Sequence, residues 1–160
     1  MELKERIKAF AELGTFFNQF SIESIEKNNN SEINTLFFDA FKMQIERAHE
    51  SNGWFTKENV LFAIESLTKA LTLENLEKWT SNYNFNEKLP VKNVAIIMAG
   101  NIPLVGFHDL LSVLISGNNA IVKLSSNDQF FLPLIVKYLE YSNPNFKGRV
   151  TFTKDKLARP

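Results

Sequence analysis

The 160 residues are 44% hydrophobic and 22% charged, which suits one soluble domain or part of one and excludes a low-hydrophobicity disordered chain. Eighteen Lys and Arg balance eighteen Asp and Glu, so the net charge is zero and nothing marks a nucleic-acid partner. The sequence has no cysteine, which excludes disulfides, thiolate metal sites and a cysteine nucleophile within these residues.

The first element is a helix. In MELKERIKAF and the residues after it, Leu3, Ile7, Phe10, Gly14 and Phe17 recur three or four apart, with Lys4, Glu5, Lys8 and Glu12 on the other side. This is an amphipathic start, not a signal peptide, and the longest apolar runs fall far below the ~18 residues of a membrane span. A cytoplasmic protein without a membrane span is the expectation. The stretch EKNNNSE is a polar break, because asparagines compete with backbone hydrogen bonding and favour turns. A second helix follows, carrying Ile33, Phe37, Phe41, Ile45 and Ala48, and Gly53 is its expected glycine cap. Thr56 caps a third helix with Val60, Leu61, Ile64, Leu67 and Leu71, and Thr72 caps a short fourth through Trp79. TSNYNFNEKLP is then a polar loop. Trp54 and Trp79 read as packing residues, and the fifteen phenylalanines as core filling.

After Pro90 the rhythm changes. Residues 94–98 form a short apolar run rich in β-branched side chains, 104–115 a nearly all-apolar helix, and 120–124 a second strand. Residues 130–141 form a second helix with Phe131, Leu134, Ile135, Tyr138 and Leu139 inward, and 149–153 a third strand. Strand, helix, strand, helix, strand is the pattern of parallel βαβ units, with strands buried on both faces. The fold class is therefore α/β: a helical segment, 1–90, followed by a βαβαβ parallel sheet, 91–160, as an incomplete Rossmann-like nucleotide-binding domain. Three such strands leave an open edge. The expectation is the N-terminal part of a longer protein, or else a small domain whose helical half closes the sheet.

In open α/β sheets, ligands bind outside the carboxyl ends of the strands. Two such corners exist: Ala99-Gly100-Asn101 after the first strand and Lys123-Leu124-Ser125-Ser126 after the second. If the strands are parallel neighbours, the corners share one rim. Neither is a G-x-G-x-x-G turn or a P-loop.

The stretch GNIPLVGFHDLLSVLISGNNAIVKLSS, residues 100–126, resembles the acyl-CoA reductase family, the bioluminescence-type fatty-acid reductases of the aldehyde dehydrogenase superfamily. Asn101-Ile102-Pro103-Leu104 is similar to that superfamily's Asn-Phe-Pro-Leu corner. Gly117-Asn118 with Ile121-Val122-Lys123-Leu124-Ser125 is similar to its Gly-Asn-x-Val-x-x-Lys-Pro-Ser segment. The resemblance implies an enzyme that takes an acyl group from a fatty acyl-CoA onto a cysteine and reduces it to the aldehyde with NADPH. The cysteine would lie outside these residues, so the 160-residue chain alone would be inactive.

By the same resemblance Asn101 is the oxyanion-hole amide. Such a donor does not titrate and serves the oxygen that turns negative as the thioester carbon becomes tetrahedral. The structural alternative makes Asn101 the cap of the next helix, with Pro103 in that helix's first turn. Gly100 stands where an aromatic residue is common and permits close backbone approach or positive φ. Lys123 would reach the adenosine ribose, with Ala99, Gly100, Ser125 and Ser126 forming the rest of the cofactor rim. Ser126 replaces a glutamate common in NAD-using relatives, which removes repulsion of a 2′-phosphate and favours NADP. Alternatively Ser126 opens a capping box with Gln129, and Pro133 then requires a helix that begins later. His108, on an apolar helix, reads as a satisfied helix histidine bonded to Ser112, and two distant histidines make no metal site. Homo-oligomer formation is left open. The rival function is a non-catalytic nucleotide-binding module, or a protein-interaction module built from the helices of 1–90.

Overall fold

The computed structural model describes residues 1–29, 31–86 and 88–154. The last asparagine of the triplet, Glu87 of the polar loop and the end of the 91–160 segment lie outside the described residues.

Four helices come first: α1 Leu3–Phe17, α2 Glu32–Ser51, α3 Lys57–Ala70 and α4 Leu73–Thr80. Ile7, Phe10, Gly14 and Phe17 of α1 are buried, as their spacing requires. Thr56 and Thr72 cap α3 and α4, their hydroxyls accepting the amides of Asn59 and Asn75, each at 3.2 Å. Gly53 is not the expected cap of α2. The chain leaves that helix through Asn52 in extended conformation, with its N–H donating to Ala48 O, and Gly53 does not have positive φ. Trp54, expected to pack, is 80% exposed. The extended exit turns neighbouring side chains to opposite sides, and Phe55, at 2% exposure, takes the core position instead.

The second half follows the expected order with ends shifted by no more than three residues: β1 Asn93–Ile97, α5 Phe107–Ile115, β2 Asn119–Lys123, α6 Phe131–Ser142 and β3 Val150–Thr153, with a 3-10 turn at Pro144–Phe146. The three strands are parallel in the order β1-β2-β3, with Ile97 opposite Lys123 and Lys123 opposite Thr153. The protein is therefore α/β, helices first and a three-stranded parallel sheet after them.

Two expectations about the sheet need correction. Its strands are not buried on both faces: in β1 Ile96 is buried while Ile97 is 74% exposed. A sheet that grows in one direction through two crossovers of the same hand carries both helices on one face. The other correction concerns closure. The helical half packs onto α5 and α6, and β1 is paired on one side only among the described residues, so the helices do not close the sheet.

Aromatic rings join the halves. Phe107, the first residue of α5, is fully buried and meets Phe10 and Phe17 of α1 edge-on, with centroids 6.3 and 6.5 Å apart. Phe16 lies 4.7 Å from Tyr138 of α6. Fully burying each such ring stabilises by roughly 1.5–3 kcal/mol. The carboxyl end of α5 is closed by Gly117 at φ 84, with Asn118 N–H donating to Val113 O and Gly117 N–H to Leu114 O. Buried Arg6 donates from Nε to Ile115 O at 2.9 Å, placing a cation at the negative end of that helix. The sequence pattern had left Arg6 unassigned on the inner face of α1.

Candidate functional site

Both corners lie at the carboxyl ends of adjacent parallel strands, and backbone pairing continues past β1: Met98 N–H donates to Lys123 O at 2.9 Å. At Gly100 the two corners touch. A methyl group there would stand 2.2 Å from Ser125 Oγ and 2.5 Å from Ser125 Cβ, so only glycine lets the backbone of the first corner lie against the second. Of the two reasons foreseen for a glycine, close approach is the operative one, because Gly100 does not have positive φ.

The first corner does not run straight into a helix. Leu104 takes φ 59, a left-handed conformation unusual for a bulky residue, and α5 starts three residues later at Phe107. Pro103 therefore sits in a separate turn, not in the helix's first turn as expected. Asn101 does not cap α5 either: the N-cap is Gly106, with no side-chain cap bond. The Asn101 side chain is exposed and makes no hydrogen bond among the described residues, so its amide donor is open to a ligand.

Asn101 borders an apolar groove of about 490 Å³ between α3 and this turn. Trp54, Phe62, Leu67, Ile102 and Pro103 line it, and Trp54, Phe62 and Ile102 are each more than half exposed. Neither exposed ring was legible as a site residue. Phe62 sits at a helical position off the inward stripe of α3, which was the one available signal.

The second corner opens on the other side of the rim. Lys123, Ser126, Gln129, Phe152 and Thr153 border an open cavity of about 590 Å³ between the ends of β2 and β3. Lys123 is half-buried and has no ion-pair partner among the described residues. Ala99 is exposed beside Gly100. Ser125 Oγ accepts Asn127 N–H at 3.2 Å, which folds the corner back on itself. The capping box proposed for Ser126 and Gln129 is not formed: Gln129 Nε2 donates to Ser126 O, and α6 starts at Phe131 without a side-chain cap. Pro133 is then the third residue of α6, in the turn whose amides have no intrahelical acceptor.

His108 and Ser112 are bonded through the backbone, Ser112 Oγ donating to His108 O at 2.9 Å, while the exposed His108 ring rests 5.8 Å from Trp79. A separate cavity, about 560 Å³, is bordered by Arg6, Trp79, Lys92 and Arg149. It lies at the amino ends of the strands, away from both corners.

A carboxyl group that the sequence reading passed over joins the rim. Asp128 is 8% exposed and its Oδ2 accepts Leu104 N–H at 3.2 Å. Burial raises this carboxyl to about 6, against the opposing effect of the Leu104 bond.

Comparison with known proteins gives one match. The family model for acyl-CoA reductase (LuxC) matches residues 12–154. No curated protein and no solved structure matches.

Proposed function

The chain belongs to the acyl-CoA reductase (LuxC) family, and from that premise we propose that its two corners carry the oxyanion donor and the ribose contact of an NADPH-dependent fatty acyl-CoA reductase. The observation that supports this most is the contact of Gly100 with Ser125, which makes one rim of two corners.

Asn101 donates its side-chain N–H to the thioester oxygen as the carbonyl carbon becomes tetrahedral. A fixed neutral donor stabilises the developing charge more than the ground-state carbonyl, and removing one typically lowers kcat about 10²–10³-fold. The acyl chain lies in the groove of Trp54, Phe62 and Ile102, whose apolar walls gain by leaving water. The acyl group passes from coenzyme A to a cysteine outside these residues, releasing the coenzyme A thiol. The 160 residues hold no thiol, so on this reading they do not complete the reaction by themselves.

The second corner suits a phosphorylated ribose. Its cavity is bordered by the ammonium groups of Lys123 and Lys154 and by hydroxyl groups, and the nearby carboxyl of Asp128 is turned inward onto Leu104. Lys123 would bond the ribose or its 2′-phosphate, and Ser126 would accept that phosphate where a glutamate would repel it. Ala99, Gly100 and Ser125 shape the backbone wall against which the dinucleotide lies. When bound, the reduced nicotinamide supplies the hydride that turns the acyl group into aldehyde.

Titrating the chain with NADPH and NADH tests this reading. Tighter binding of NADPH is expected, with Lys123→Ala weakening NADPH about ten- to a hundredfold and Ser126→Glu reversing the preference. Absence of nucleotide binding would favour the interaction-module reading.

A further inference from the structure

We propose that Asp128 is a positioning residue for Asn101: its buried carboxyl holds the Leu104 amide and so fixes the turn that presents the Asn101 side chain. The consequence for catalysis rests on the function proposed above, whereas the structural part does not.

Seven residues after β1, the chain turns through a left-handed Leu104, a conformation a leucine does not hold unaided. Two side chains from distant elements restrain that turn. Asp128 Oδ2 accepts Leu104 N–H at 3.2 Å across 24 residues of sequence. Asn52, just past α2, donates from Nδ2 to Gly100 O at 3.2 Å, while its Oδ1 accepts Trp54 N–H. Asn101, Ile102 and Pro103 lie between the two held points. The buried side chain of Leu104, 4% exposed, supplies a third anchor. Asn101 itself makes no internal hydrogen bond among the described residues, so its direction comes from the backbone beneath it. Asp128 belongs to the loop that follows Lys123 and Ser126, so the second corner holds the first. A ligand that orders the loop 125–129 therefore also steadies the turn at 101–104, giving the nucleotide corner a means to prepare the oxyanion donor.

Hydrogen exchange on the chain tests this directly. In Asp128→Ala the Leu104 amide should exchange at least tenfold faster than in wild type, with α3 unchanged, while Asp128→Asn, which keeps an oxygen acceptor, should stay near wild type. Equal acceleration throughout the molecule in Asp128→Ala, or none at Leu104, overturns the proposal. If Asp128→Ala does not fold, a folded Asp128→Asn with a protected Leu104 amide supports it, and an unfolded Asp128→Asn overturns it. In the full-length protein, Asp128→Ala should lower kcat for acyl-CoA reduction by a larger factor than it raises KM for NADPH, and Asp128→Asn should restore kcat. Unchanged kcat alongside the faster Leu104 exchange overturns the link to Asn101. A wild-type protein without reductase activity refutes the function proposed above and leaves the exchange result to decide the structural part.

Discussion

At Gly100 a single hydrogen atom decides whether two corners can meet. Alanine there places a methyl group 2.2 Å from Ser125 Oγ, and the backbone or the serine must give way. Gly100→Ala is expected to cost about 1–3 kcal/mol in urea unfolding, the range for overpacking. Ser125→Gly in the same chain should recover part of that loss, because it removes both atoms the methyl would strike. Asp128 makes a different kind of prediction. Its carboxyl keeps its proton to about pH 6 in the folded protein against 3.8 for a free side chain. Between those values the folded state binds more protons than the unfolded state, so this group's contribution falls as pH rises through the window. Asp128→Asn does not titrate. The stability of wild type relative to Asp128→Asn should therefore decline by about 2–3 kcal/mol between about pH 4 and pH 7, measured as urea unfolding at each pH.

Among elements, α5 determines where the first corner points. Its first residue, Phe107, is driven into the aromatic cluster of Phe10 and Phe17, so the turn at 101–104 is suspended between a fixed strand end and a fixed helix start. Phe107→Ala is expected to lose about 3–5 kcal/mol of unfolding free energy. Much of this level was legible in the sequence. Hydrophobic spacing, with the Thr72 cap for α4, located the six helices and three strands of the described residues to within a few residues, because those periods reflect which side meets the core. Threonine at 56 and 72 marked two helix starts through local side-chain chemistry. What could not be read was non-local. Nothing near Leu104 announces positive φ, since the restraint comes from Asp128 in a later loop. Nothing in SNGWF says that Phe55 and not Trp54 turns inward, since the core space is set by other helices. The exposed face of the sheet was also misread, because continuous apolar runs such as VAII look the same whether one face or two are covered.

For the whole molecule, one hydrophobic core runs from α1 through α5 and α6, so the helical half is the support on which the strand ends are presented. It also contributes to the site, with Trp54 and Phe62 walling the groove beside Asn101 and Asn52 bonded to Gly100. The two corners were legible as candidates because sheet topology places ligands at carboxyl strand ends. That they touch was not legible, because contact between Gly100 and Ser125 depends on the register of β1 against β2. Membership of the acyl-CoA reductase (LuxC) family and this shared rim together lead to a chemical claim centred on one amide. The most direct measurement is NADPH oxidation driven by a fatty acyl-CoA in the full-length protein, comparing wild type with Asn101→Ala. The account predicts that kcat falls about 10²–10³-fold while the KM for NADPH holds. A variant that turns over as fast as wild type would contradict it.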